Sequence, residues 1–274
     1  MATGYFGGTT PRVFGHRGAA GLAPENTLPS FALGLALGAD MLELDVHASR
    51  DGVVVVFHDP TLDRTTNGTG PLRERSLYEL QQLDAGHHFT RDGRDFPYRG
   101  HGLRIPTLEA VLKDFPLAYC NIEIKQADPP IVTDVLRVIR RLDAQHRVLL
   151  AAEHDSIMQQ IRPLAGDIAT SFSAAEIADF VGRLQAGGLD DYQPSGRALQ
   201  IPPSFSDIEL VTPESVAAAH RCGLEMHVWT INDPSEMQRL LALGVDGIMS
   251  DLPGLARVVV DQFVKRDENV RRKT

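Results

Sequence analysis

Short apolar runs alternate with segments whose apolar positions recur every three or four residues, and this exchange of periods continues along most of the chain. RVFGHRG (12–18) reads as a strand, followed by a helix from about Glu25 to Gly38 and strands MLELDV (41–46) and VVVVFH (53–58). After a long irregular stretch come helix TLEAVLKDF (107–115), strand AYCNIEIK (118–125), helix IVTDVLRVIRRL (131–142) and strand RVLLAA (147–152). A helix around 156–163, strand IATSF (168–172), a helix after Ser173 and strand ALQIPP (198–203) extend the series. Helix PESVAAAHRCG (213–223), strand LEMHVWT (224–230), helix PSEMQRLLALG (234–244), strand GIMSD (247–251) and a last helix from Gly254 complete it.

Helix starts are well punctuated. Ser173 and Glu176 are spaced as a capping box, Asp233, Pro234 and Glu236 supply N-cap, N1 and N3, and Thr212 with Pro213 does so less fully. Gly223 and Gly244 mark stops. One strand and one helix repeating about eight times predict an α/β fold, a (β/α)8 TIM barrel, over an open doubly wound sheet. The barrel domain is expected to span residues 11–262, with a charged, solvated and frayed C-terminal tail at 263–274.

Residues 60–105 break the rhythm and are too long for a plain connection. Ser76 and Glu79 again have capping-box spacing, so a helix over 76–83 is expected inside a small inserted cap segment. Its position after VVVVFHD places it over the carboxyl end of a strand, the face where such barrels carry chemistry.

Several strands have one polar face. Glu43, Asp45 and His47 alternate with Leu42, Leu44 and Val46; Glu123 and Lys125 alternate with Ile122 and Ile124; His227 and Trp229 alternate with Met226 and Val228. In a barrel the apolar faces pack on the helix ring and the polar faces point inward near the mouth. Two carboxylates about 4 Å apart repel by roughly 4 kcal/mol at an effective dielectric of 20, so three together cost on the order of 12 kcal/mol. That rivals the stability of a domain, about 5 to 15 kcal/mol. One hard divalent cation, Mg²⁺ or Ca²⁺, fits an all-oxygen set of Glu43, Asp45 and Glu123; separate salt bridges to each acid are the plainer alternative.

His16 and His58 each close a strand and are followed by a charged residue, which suits proton transfer near neutral pH. Arg17 and Lys125 supply positive charge, and a phosphate is the ligand that needs both a donor fork and a metal. Glu25 and Asn26 stand where they could orient neighbours. The overall balance is acidic, with a formal net charge of −9 in 274 residues, which argues against a broad basic surface for nucleic acid or anionic membrane. Cys120 and Cys222 have no paired spacing and read as core thiols. The chain shows no secretory leader and no apolar stretch of membrane-spanning length, so a soluble cytoplasmic protein is the expectation.

GHRG (15–18), PENT (24–27), ELDVHASRDGVVVVFHD (43–59), LDRTTNGTG (62–70), IPTLEAVL (105–112), NIEIK (121–125), VWTIND (228–233) and GVDGIMSDLP (244–253) together resemble the glycerophosphodiester phosphodiesterase family. The resemblance implies a barrel with a small insertion, a divalent cation on Glu43, Asp45 and Glu123, and His16 with His58 as the acid and base pair. It further implies Arg17 and Lys125 on the phosphate and Trp229 lining the substrate pocket. His47 is not carried over and is expected at the rim. The implied reaction is hydrolysis of a small glycerophosphodiester to an alcohol and sn-glycerol 3-phosphate through a cyclic phosphate. Rival readings are a phospholipase D-like barrel acting on choline lipids, a metal lyase with Lys125 as base, and a non-catalytic phosphodiester-binding protein.

Overall fold

The computed structural model describes residues 4–271. Its elements run β1 (Arg12–Gly15), α1 (Leu28–Ala36), β2 (Met41–Ala48), β3 (Val54–Val56), α2 (Leu77–Leu80), α3 (Leu108–Asp114), β4 (Tyr119–Ile124), α4 (Val132–Arg141) and β5 (Val148–Ala151). Then follow α5 (Asp155–Ala165), β6 (Ala169–Thr170), α6 (Ala174–Ala186), β7 (Ala198–Ile201), β8 (Ser204–Phe205), β9 (Ile208–Glu209), α7 (Pro213–Arg221), β10 (Glu225–Val228), α8 (Pro234–Leu243), β11 (Gly247–Ser250) and α9 (Pro253–Arg271).

Eight parallel strands, in the order β6-β5-β4-β2-β1-β11-β10-β7, form a nearly closed barrel with helices between them. The remaining gap, between β6 and β7, is spanned by a parallel bridge of Ser171 with Ala198 and by the Arg197 N–H donating to the Thr170 carbonyl at 2.9 Å. The expected TIM barrel is thus the fold observed, built from short strands alternating with helices. Ser173 and Asp233 cap α6 and α8 as their spacing predicts, and Thr212 caps α7 with Ser215 as its reciprocal partner.

The outward faces carry the main core. Leu42, Leu44, Val46, Ile122 and Ile124 pack with α3, α4 and α5, while Met226, Val228 and Ile248 pack with α7, α8 and α9. The inward faces are apolar only at the foot, where Tyr5, Phe14, Met41, Leu149 and Met249 meet. Beside them lies a polar group. His227, wholly buried, bonds Glu225 at 3.0 Å and Gln200 at 3.4 Å, and Gln200 donates to Asn121 at 3.2 Å. His227 therefore belongs to the barrel filling, away from the mouth that Trp229 reaches from the carboxyl end of β10.

VVVVFH is not a barrel strand. β3 runs antiparallel to β2, with Val46 opposite Val56 and Ala48 opposite Val54, so the chain climbs past the barrel mouth on β2 and returns. Both its faces are buried, which accounts for the unbroken valines: Val54 and Val56 join the barrel core, and Val55 and Phe57 support a separate cluster with Leu62, Leu72, Leu80, Ala85 and Ile105. That small core holds residues 60–105, where Ser76 and Glu79 form the capping box of α2. The helix ends at Leu80, short of the expected 83, because Asp84 accepts from the Gly86 and Gly100 amides and turns the chain into a loop.

Two expected boundaries move. The helix predicted from Glu25 starts at Leu28, since Thr27 is its N-cap and PENT is the turn before it. The stretch read as a frayed tail from 263 remains helical to Arg271, and residues 272–274 lie outside the described residues. Among the described residues no helix is long and apolar enough to cross a membrane.

The turn after β1 is held tightly. Gly18 has φ +92, and a Cβ there would stand 2.5 Å from Ser30 Oγ and 2.6 Å from the Ser30 carbonyl carbon. Ser30 in α1 donates to the Arg17 carbonyl at 3.0 Å and accepts from the Ala19 N–H at 2.9 Å, pinning this turn to the helix. Strain at positive φ and overpacking each cost about 1–3 kcal/mol. Gly18→Ala is therefore expected to lower Tm by roughly 5 °C or more, measured by circular dichroism; an unchanged Tm would show that the turn has slack.

Candidate active site

The inward polar faces converge where the sequence pattern places them. Glu43, Asp45 and Glu123 each offer a carboxylate oxygen, and these oxygens all lie within 4.8 Å of one another. The register explains it: Asp45 on β2 stands directly opposite Glu123 on the neighbouring parallel strand β4. Glu43 and Asp45 are buried, and Glu123 is half-buried.

Such a cluster needs compensation, and it is supplied from three sides. Lys125 Nζ lies 2.7 Å from Glu123 and 3.4 Å from Asp45. Arg17 Nε lies 3.3 Å from Asp45, and the Arg17 backbone N–H donates to Glu43 at 2.9 Å. The Asn26 side-chain Nδ2 donates to Asp45 at 2.9 Å and its Oδ1 accepts the Asp45 N–H at 3.3 Å. Arg17 and Asn26 both adopt positive φ, 49° and 57°, a strained backbone for residues with side chains that collects here at the acids.

The three acids respond differently. Burial, with the charge of Asp45 adding to it, lifts the Glu43 carboxyl to about 7. Burial would lift Asp45 also, yet the charges of Lys125 and Arg17 outweigh it and hold Asp45 below the usual carboxylate range. Glu123 is raised by burial despite Lys125. Burial opposes the charge on Lys125, but Asp45 and Glu123 prevail and hold its ammonium above the ordinary lysine range. An ammonium paired with two carboxylates in this way is a poor general base, which weighs against the lyase reading.

The two histidines flank the acids, each backed by a carboxylate. His16 follows β1, its Nδ1 lies 2.7 Å from Asp251 Oδ1, and its Nε2 faces Glu43 at 3.9 Å. Asp251, just past β11, is itself held by Asn232 at 2.6 Å. His58 comes back down the β3 hairpin, and its Nδ1 lies 2.6 Å from Asp59 Oδ1. A carboxylate on Nδ1 fixes that nitrogen as the N–H and leaves Nε2 free to exchange a proton. Burial pulls His16 down, but the Asp251 hydrogen bond and the Glu43 charge more than offset it, so His16 is raised from its usual range.

His47 is no rim residue. It is buried, and its Nε2 bonds the His58 carbonyl at 3.0 Å, tying the returning hairpin to β2. Trp229 is 41% exposed at the carboxyl end of β10. Asp59, Asp251, Asn232 and Arg64 were not singled out from the sequence; the available signal was an acid next to a strand-end histidine in HD and an acid after the last strand in MSD. A cavity of about 300 Å³ opens beside Lys125 under the insert, lined by His47, Thr61, Arg73 and Asp128. Another, of about 510 Å³, opens at the opposite foot around Phe6, Thr170 and Arg197 and contains none of these groups.

Residues 16–255 match the model of the glycerophosphoryl diester phosphodiesterase family. The chain belongs to this family. It is accordingly an enzyme of phosphodiester hydrolysis, as the motifs lead one to expect. A glycerophosphodiester phosphodiesterase of Caldanaerobacter subterraneus is 33% identical over 88% of this chain and 94% of its own. The crystal structure of a glycerophosphodiester phosphodiesterase from Agrobacterium tumefaciens superposes with a TM-score of 0.73 at 30% identity, covering 89% of this chain and 98% of that one. A phosphodiesterase from Oleispira antarctica, solved in complex with the product sn-glycerol-3-phosphate, gives a TM-score of 0.75 at 29% identity over 92% and 97%.

The donor set fits a hard divalent cation: three carboxylates, no sulfur or imidazole nitrogen among them, oxygens close enough to share one ion. Glu43, Asp45 and Glu123 would hold it. Cation and proton then compete for the same oxygens. With Glu43 at about 7, against about 4.5 in the unfolded chain, folding favours the protonated form at low pH. That advantage is lost as pH rises through about 7, and the ionised, cation-free state carries a penalty of about 3 kcal/mol. Added Mg²⁺ or Ca²⁺ is therefore expected to raise Tm more at about pH 8 than at about pH 5.5, read by differential scanning calorimetry. An equal gain at both values would rule out the competition.

Proposed function

We propose that this chain hydrolyses glycerophosphodiesters to an alcohol and sn-glycerol 3-phosphate in a reaction that depends on one divalent cation, Mg²⁺ or Ca²⁺. The observation that carries the reading is the convergence of Glu43, Asp45 and Glu123 between two imidazoles, His16 and His58, each backed by a carboxylate on Nδ1. The product seen with the Oleispira relative supports the same chemistry.

In the first half-reaction one imidazole takes the proton of the glycerol hydroxyl next to the phosphodiester. That oxygen attacks phosphorus, the bond from phosphorus to the alcohol breaks, and the other imidazolium protonates the departing oxygen. A cyclic phosphate results. In the second, the histidine that gave its proton removes one from water, the water oxygen attacks phosphorus, and the ring P–O bond opens. The other histidine returns its proton to the ring oxygen, giving sn-glycerol 3-phosphate and both side chains in their starting states. We assign His58 as the first base and His16 as the first acid.

Arg17 and Lys125 orient the phosphate. The Arg17 guanidinium, half-buried between Glu25 and Asp45, offers a planar donor fork suited to a phosphoryl oxygen. A bound cation supplies charge stabilisation to the phosphoryl oxygens. Trp229, exposed at the mouth, lines the pocket for the remainder of the substrate.

His16→Ala and His58→Ala are each expected to lower kcat by about 10² to 10⁴ fold, measured as sn-glycerol 3-phosphate release. Near-normal turnover in both variants would end the assignment. Chelation should abolish turnover on glycerophosphocholine, glycerophosphoethanolamine and glycerophosphoglycerol, and either Mg²⁺ or Ca²⁺ should restore it; activity that persists through chelation would sink the metal role.

A further inference from the structure

Arg64 belongs to the inserted segment, yet its guanidinium reaches both sides of the site. One edge grips Asp59, with Nε 2.7 Å from Oδ2 and Nη2 3.0 Å from Oδ1. The other edge grips Glu25, with Nη1 2.7 Å from Oε2 and Nη2 2.7 Å from Oε1. Both carboxylates have a second partner. Asp59 Oδ1 also meets His58 Nδ1 at 2.6 Å, and Glu25 Oε1 also accepts from Arg17 Nη1 at 3.0 Å.

The result is one chain of charge-assisted contacts: His58, Asp59, Arg64, Glu25, Arg17. Arg17 continues it to Asp45 at 3.3 Å. We propose that Arg64 is a positioning residue, whose planar fork holds Asp59 and Glu25 in one frame and so fixes the His58 imidazole relative to the Arg17 guanidinium. The proposal rests on the hydrolytic roles given above to His58 and Arg17. It assigns the insert a role in the reaction: loop 60–105 carries the clamp for one of the two histidines.

The other histidine is held independently. His16 leans on Asp251, and Asp251 on Asn232, all from connections at the carboxyl ends of barrel strands. Displacing Arg64 should therefore disturb His58 and leave His16 in place. Lysine cannot substitute, because an ammonium is a point charge and lacks the two adjacent planar edges that grip two carboxylates at once. The charges balance as two cations and two anions, so removing Arg64 leaves Glu25 with Arg17 alone and Asp59 without its guanidinium.

The test uses the full chain with Arg64→Ala and Arg64→Lys. Side-chain NMR of ¹⁵N-histidine-labelled protein should show the His58 Nδ1–H resonance moved in both variants and the His16 resonance unmoved. Turnover of glycerophosphoglycerol should fall by about 10- to 100-fold in kcat in both variants, exceeding any change in KM. Millimolar guanidinium chloride should restore part of the loss in Arg64→Ala, and methylammonium chloride should not. The inference is overturned if Arg64→Lys keeps the wild-type kcat or if the His58 resonance stays where it is in Arg64→Ala. A moved resonance together with wild-type turnover in His58→Ala would support the clamp and sink the hydrolytic role of His58 instead.

Discussion

The mutual repulsion of three carboxylates in a confined space governs this molecule. Glu43, Asp45 and Glu123 cannot share the barrel mouth as bare anions, so the surrounding chain is organised to answer them. The turn after β1 gives a backbone N–H and a guanidinium, Asn26 gives an amide at positive φ, and Lys125 extends β4 by one residue to bring its ammonium down. Glu43 has no lysine or arginine side chain at ion-pair distance among the described residues, and burial lifts its carboxyl to about 7. A cation placed among the three oxygens would relieve the repulsion directly.

The β2–β3 hairpin solves a second problem, how to bring a histidine back to a site built low on β2. A parallel strand would also have ended at the mouth, but only as one more stave of the ring. By reversing, the chain places Phe57 N–H on the Asp45 carbonyl at 2.9 Å and sets His58 beside it, while the reverse face of β3 becomes the floor of the insert. The insert's small core and the delivery of the imidazole are thus one structural event.

Much of this was legible in the sequence because it follows from periodicity. Alternation in ELDVH and NIEIK gives the inward faces, and cap and stop residues give the helix ring, so the barrel and the five central side chains needed only local pattern. The antiparallel sense of VVVVFH was not legible, since a run buried on both faces reads alike in either direction; His58 was placed at a strand end for the wrong topological reason. Nor was the shell of Asp59, Asp251, Asn232 and Arg64. His16 with Asp251 and Arg64 with Glu25 join residues far apart in the chain, and no spacing encodes them, while Asp59 had only its place next to His58 as a signal. The β8–β9 hairpin, two residues to a strand, carries too little pattern to register.

The seam between β6 and β7 has a bearing on how the barrel accommodates load. Counting around the ring, it lies diametrically across from the junction of β1 and β2 that carries His16, Arg17, Glu43 and Asp45. A cylinder stitched most thinly on its far wall keeps its departure from full closure at the greatest distance around the ring from that junction.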